Sequence, residues 1–276
     1  MAEVAKVIYY TDPGCPWSWA AEPALRRLQS EFADQVAITY VLGGMAQEIT
    51  DPGHVLLEAL DAAAVSGMPI DPRGWGGREG RAPRSTYPAC LAVKAAAEQG
   101  LDAAYLRVLL EGFWLRRAPL DSPDALLDAA RPVPGLDHAR FAIDLRSSAI
   151  AEAFGADLER ARAVPAEQIA PGAQPARVVL PAFAVGPAGV DGPARWVAGR
   201  VAPEALRDAV VAAGAEPRPL PSVQEAVRRF GTMATAEVVA ATGLPWPRVV
   251  QQLWSLATDF RLRAERVPGG EIWHPA

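Results

Sequence analysis

Cys15 stands in the run Asp-Pro-Gly-Cys-Pro-Trp-Ser-Trp, residues 12–19. It follows a strand-like segment and comes just before a helix that Pro16 is suited to open, because the first helical turn does not need a proline N–H. The free N–H groups and dipole of such a helix end favour an anion. The spacing therefore predicts a thiolate of lowered pKa at Cys15, which is the nucleophilic form of cysteine. Three residues on, Ser18 carries a hydroxyl that can donate to that thiolate. A hydroxyl cannot close a disulfide, so the motif cannot cycle as a dithiol. Cys90 is the other cysteine of the chain. It is a candidate resolving thiol if its Cα lies within about 7 Å of that of Cys15, and otherwise a small buried hydrophobe.

The elements around Cys15 read as an α/β protein. Residues 5–11 and 36–42 are β-branched and aromatic strands. Between them runs a helix that Pro23 should kink. Residues 54–66, 86–99, 102–116, 122–130, 137–146 and 148–163 show helical spacing, and 69–84 reads as a long loop. Strands resume at 176–185 and 194–201, and a helix follows at 203–213. This organisation predicts an α/β domain built from 1–43 and 176–213, with a helical insertion at 44–175. A proline-rich linker at 214–221 leads to a small unit at 222–276, where three helices and a terminal hairpin make a winged-helix-like pattern. Pro181 lies inside an expected strand, which is unusual unless it serves a turn, bulge or edge.

The segment Asp-Pro-x-Cys-Pro-Trp-x-Trp-x-x-Glu-Pro-x-Leu-Arg-Arg-Leu resembles the active-site segment of the DsbA-like thioredoxin superfamily, nearest to its FrnE-like cytoplasmic branch. Ser85-Thr86-Tyr87-Pro88-Ala89-Cys90 looks like that branch's insertion helix, and Leu180-Pro181-Ala182-Phe183 like the family's cis-proline segment. The resemblance covers about residues 4–213 and implies a thioredoxin-like fold with an all-α insertion. It also implies a substrate held between Cys15, the backbone of Leu180 beside Pro181, and Trp17, with Trp19 in the core and Glu22 either a buried proton acceptor or a solvated carboxylate. The family's second cysteine is replaced by Ser18. This leaves a monothiol oxidoreductase or thiol transferase, with glutathione or another small thiol as co-substrate and no tightly bound cofactor. Kappa-class glutathione transferases and related isomerases share the layout but carry serine where this chain has Cys15. A non-catalytic adaptor is a further alternative.

The 276 residues carry a net charge of −5 and are half hydrophobic, which argues against a general nucleic-acid or membrane-surface binder. Within 222–276 the bases are Arg228, Arg229, Arg248, Arg261, Arg263 and Arg266, and the acids Glu225, Glu237, Asp259, Glu265 and Glu271. That near-balance is thin for phosphate neutralisation, so the unit is expected to bind protein, including a second copy of the chain. No signal segment or membrane span is read, and the expected compartment is the cytoplasm. His54, His138 and His274 show no metal-ligand spacing and are expected to be ordinary surface or cap residues. Gly74, Gly76 and Gly77 follow no strand and are not a dinucleotide motif.

Overall fold

The computed structural model describes residues 3–75, 82–190 and 194–276. Strand β1 (Ala5–Thr11) is followed by helix α1 (Pro16–Ala20), α2 (Glu22–Phe32) and β2 (Val36–Leu42). The chain then runs through α3 (Pro52–Ser66), α4 (Tyr87–Ala97), α5 (Asp102–Trp114), α6 (Pro123–Ala130), α7 (His138–Asp144) and α8 (Ser148–Arg162). It returns through β3 (Ala182–Pro187), β4 (Arg195–Ala198) and α9 (Pro203–Ala212). The rest is α10 (Val223–Phe230), β5 (Met233–Ala234), α11 (Thr235–Thr242), α12 (Trp246–Thr258), β6 (Leu262–Val267) and β7 (Gly270–Pro275).

The apolar run of β1 places it inside the main sheet, whose order is β2-β1-β3-β4. β1 pairs parallel to β2 and antiparallel to β3. Tyr9 sits opposite both Tyr40 and Phe183, and its ring stacks on Phe183 at 4.2 Å. One face of the sheet packs on α2 and α9 through Leu25, Leu28, Phe32, Leu206 and Val210. This is a thioredoxin-like fold, with α3 to α8 inserted between its two halves.

Trp19 joins that fold to the core of the insertion, where it is buried with Trp114, Tyr105 and Phe113. Asp157 of α8 fixes the end of β2 by accepting from the Leu42 N–H at 3.0 Å and pairing with Lys94 of α4 at 3.0 Å.

Several expectations change. The Pro23 kink is a full break, with α1 ending at Ala20 and α2 starting at Glu22. The expected strand 176–185 begins only at Ala182. Before it, the Val178 and Val179 N–H groups donate to Ala161 and Gln168 rather than to a sheet neighbour. β4 is likewise shorter than the expected strand 194–201. The loop 69–84 carries a short 3-10 turn, Pro72–Gly74, and buries Trp75 against Trp114. Gly76 and Gly77 lie outside the described residues.

The segment 214–221 is not a free spacer. Gln35 and the backbone of Glu216 exchange two hydrogen bonds at 2.8 and 2.9 Å, and the Arg218 N–H donates to the Glu31 carbonyl at 2.8 Å. It delivers a second small core (Val227, Met233, Val238, Leu253, Trp273) under a sheet ordered β5-β7-β6. Through α11 this unit packs on α2.

Candidate functional site

Cys15 caps α1, with Pro16 at the first helical position. The local order follows from the turn before it. The Asp12 carboxylate accepts from the Gly14 N–H at 2.8 Å, an Asx turn, and the Asp12 carbonyl accepts from the Cys15 N–H at 3.0 Å. The same carboxylate accepts from the Met45 N–H, from the Thr86 hydroxyl at 2.8 Å and from the Cys90 thiol at 3.3 Å. Asp12 therefore ties together the cysteine loop, the chain after β2 and the start of α4. Burial pushes its carboxyl up, and the four donors pull against that rise. The motif contains Asp12, but only the folded chain brings Met45, Thr86 and Cys90 to it.

The thiol of Cys15 lies 3.7 Å from the carbonyl oxygen of Leu180, and the Leu180–Pro181 peptide bond is cis. Only 4% of Cys15 is exposed. Burial pushes its thiol from about 9 up to about 11. The Ser18 N–H and hydroxyl favour the thiolate, Asp12 opposes it and Arg177 adds a weaker attraction. The expected lowering of this pKa is thus reversed. The helix end is present, but desolvation of the sulfur outweighs it. The Ser18 hydroxyl is buried and has no partner while Cys15 is a thiol, which leaves it able to donate to the anion.

Cys90 is fully buried in α4, its proton directed at Asp12. Burial and then the Asp12 charge push its thiol well above its ordinary value. Both cysteines are free, and Cys90 does not line the groove into which Cys15 opens.

That groove has a volume of about 660 Å³. Its walls include Cys15, Trp17, Leu180, Arg177 and Arg200, together with His54 and Glu58 of α3. Trp17 is held by its indole N–H, which donates to Glu58 at 2.6 Å, and by the Arg200 guanidinium 5.0 Å above its ring. Arg177 donates to the carbonyls of Met45 and Val178 at 3.2 and 3.3 Å. Sequence reasoning missed Glu58, Arg177 and Arg200. They come from distant segments, and no local spacing marks them.

Trp19 is buried and donates to the Pro69 carbonyl at 2.9 Å. Glu22 is buried, not solvated, and its carboxylate is ion-paired. It is 3% exposed and pairs with Arg107 at 2.7 Å and Arg26 at 3.2 Å. Of the histidines, His138 is exposed and His54 edges the groove. His274 is half-buried in β7 between Thr232 and Glu265 and caps no helix. Among the described residues no group of three or more His, Cys, Asp or Glu is placed to hold a metal, and no helix is long and apolar enough to cross a membrane.

The chain is similar to several known proteins. The chain is 26% identical to the ClpXP adapter protein SpxH of Halalkalibacterium halodurans over 97% of this chain and 88% of that protein. Its fold matches the cytosolic disulfide reductase DsbM of Pseudomonas aeruginosa with a TM-score of 0.58 and 22% identity, covering 75% of this chain and 97% of DsbM. A structure of DsbM with GSH matches with a TM-score of 0.53 and 22% identity, over 67% of this chain and 89% of that one. A thioredoxin family model matches residues 9–170, more than half of the sequence, and the chain belongs to that family.

Proposed function

We propose that this chain carries out thiol–disulfide exchange through Cys15 alone. The observation that carries the reading is the Cys15 sulfur beside the Leu180 carbonyl, opening into a groove, with Ser18 where a second thiol would stand. Cys15 first loses its proton to solvent. The thiolate then attacks one sulfur of a substrate disulfide, forming a mixed disulfide and releasing the other sulfur as a thiolate, which takes up a proton. An external thiolate attacks the substrate sulfur of the mixed disulfide, regenerates the Cys15 thiolate and leaves as a new disulfide. No net oxidant is consumed. Ser18 stabilises the Cys15 anion at both ends of the cycle, and Trp17, Leu180 and Pro181 border the substrate.

Glutathione or a similar small thiol serves as the external partner in this reading, which the GSH-bound DsbM structure supports. The buried Cys90 acts as a structural thiol, not a resolving one. We assign the chain to the FrnE-like branch, in the cytoplasm, and residues 222–276 to a winged-helix-like unit that binds protein. Mass spectrometry after treatment with oxidised glutathione tests the exchange. A glutathione adduct on Cys15 that disappears in Cys15→Ala is expected. No adduct, or one that survives that substitution, overturns the reading.

A second reading has its own support. The SpxH relative is an adapter by name, and burial keeps the Cys15 thiol protonated at neutral pH. In an adaptor the groove binds and Cys15 does not turn over. Full cellular function in Cys15→Ser decides for this reading against exchange.

A further inference from the structure

A second cleft continues the thiol groove, and nothing in the exchange chemistry uses it. It has a volume of about 430 Å³ and lies where α2, α3 and α9 meet α11 and the start of α12. Pro23, Val65, Val239, Leu244 and Trp246 give it mainly apolar walls. Trp17 and Arg200 line both hollows, so the two meet across the Trp17 ring. Val65 and Trp246 are 58% and 44% exposed, two apolar side chains left open to water beside the groove.

α3 borders both hollows. Glu58 lines the thiol groove and Val65 the apolar cleft. Seven residues of helix span roughly 10 Å, which an extended chain covers in about three residues. A polypeptide held by its cysteine at Cys15 is long enough to occupy both hollows, which share Trp17 and Arg200.

Resting on the exchange reading, we propose that the substrate is a protein segment in extended conformation. Its cysteine sulfur meets Cys15, and a pair of large apolar side chains about three to four residues away fills the cleft between α3 and the C-terminal unit. The C-terminal unit then acts as one wall of the substrate site, supplying Val239, Leu244 and Trp246.

Two peptides test this, each with a single cysteine activated as an aromatic disulfide and a Leu-Phe pair placed three and four residues before it in one and after it in the other. Each is compared with the same peptide carrying serines at the pair. Cys15 displaces the aromatic thiolate, whose absorbance reports the rate. The expected result is a preference of roughly tenfold for one Leu-Phe peptide over its serine control. Trp246→Ala and Val65→Asp should each abolish the preference and leave reaction with oxidised glutathione unchanged. Equal rates for apolar and serine peptides, or a preference that survives both substitutions, overturn the inference while the glutathione adduct still stands. Absence of that adduct overturns the exchange reading itself, and this inference with it.

Discussion

At the scale of single residues, the reactivity of Cys15 is a contest between desolvation and two donors from Ser18, and desolvation wins. The sign of the pH dependence follows. A thiol raised to about 11 is almost wholly protonated at neutral pH. Its thiolate fraction therefore grows about tenfold per pH unit up to that value. With Cys90→Ala to remove the other thiol, alkylation of Cys15 by iodoacetamide is expected to climb steadily from pH 7 to pH 10, and a plateau near 8.5 would contradict it. Ser18→Ala removes a donor to the thiolate and should slow alkylation several-fold at each pH. Ser18→Cys restores a Cys-x-x-Cys pair in the first turn of α1. Its oxidised form is expected to hold a disulfide between positions 15 and 18, read as two hydrogens lost by mass spectrometry under conditions that leave the parent chain unchanged.

At the scale of elements, the site depends on close approach between the end of β2 and the segment before β3. A Cβ on Gly43 would stand 2.7 Å from a terminal methyl of Leu180, so Leu180 must shift if a larger residue is placed there. Gly43→Ala is expected to slow glutathione adduct formation at Cys15 while leaving the far-ultraviolet dichroism unchanged. An unaffected rate would show that the position of Leu180 does not matter to the thiol. Much of this scale was legible in the sequence. The β-branched runs marked β1 and β2, and Pro16 marked the start of α1. Pro23 was correctly read as a disturbance. Its outcome is a break that lets Glu22 open α2, with Arg26 and Arg107 paired to its carboxylate.

At the scale of the molecule, one buried ion cluster joins three regions. Arg107 of α5 grips both oxygens of Glu237 in α11 at 2.7 and 2.8 Å, reaches Glu22 in α2 at 2.7 Å, and lies 4.6 Å above the Trp19 ring. Arg26 closes the cluster on Glu237 at 3.0 Å. Arg107→Ala leaves Glu22 and Glu237 buried without that cation, and the expected loss is about 3–5 kcal/mol in denaturant unfolding. A loss below about 1 kcal/mol would mean that water replaces the guanidinium.

Two paired carboxylates, Glu237 in the cluster and Glu265 outside it, fix an acid limit. Burial alone would push Glu237 up, but Arg107 and Arg26 hold it below its ordinary range. Its hydrogen bonds and charge pairing with Arg116 hold Glu265 at about 2, against an ordinary 4.5. Carboxylates depressed in the folded state add stability that is complete above the unfolded pKa and lost as pH falls through the folded one. Thermal midpoints should therefore hold steady down to about pH 5 and drop between about pH 4.5 and 2, with a smaller drop in Glu265→Gln.

The sequence by itself determined the order of strands and helices, the place of Cys15 at a helix start, and the serine rather than cysteine at position 18, because each of these is local in the chain. Tertiary structure decided the rest. Whether Cys15 is a thiolate depends on how much water reaches its sulfur, which Leu180 and the insertion control from far along the chain. Residues 222–276 close a cleft because α11 packs on α2 and Glu237 meets Arg107, a pairing across 130 positions that no local pattern records.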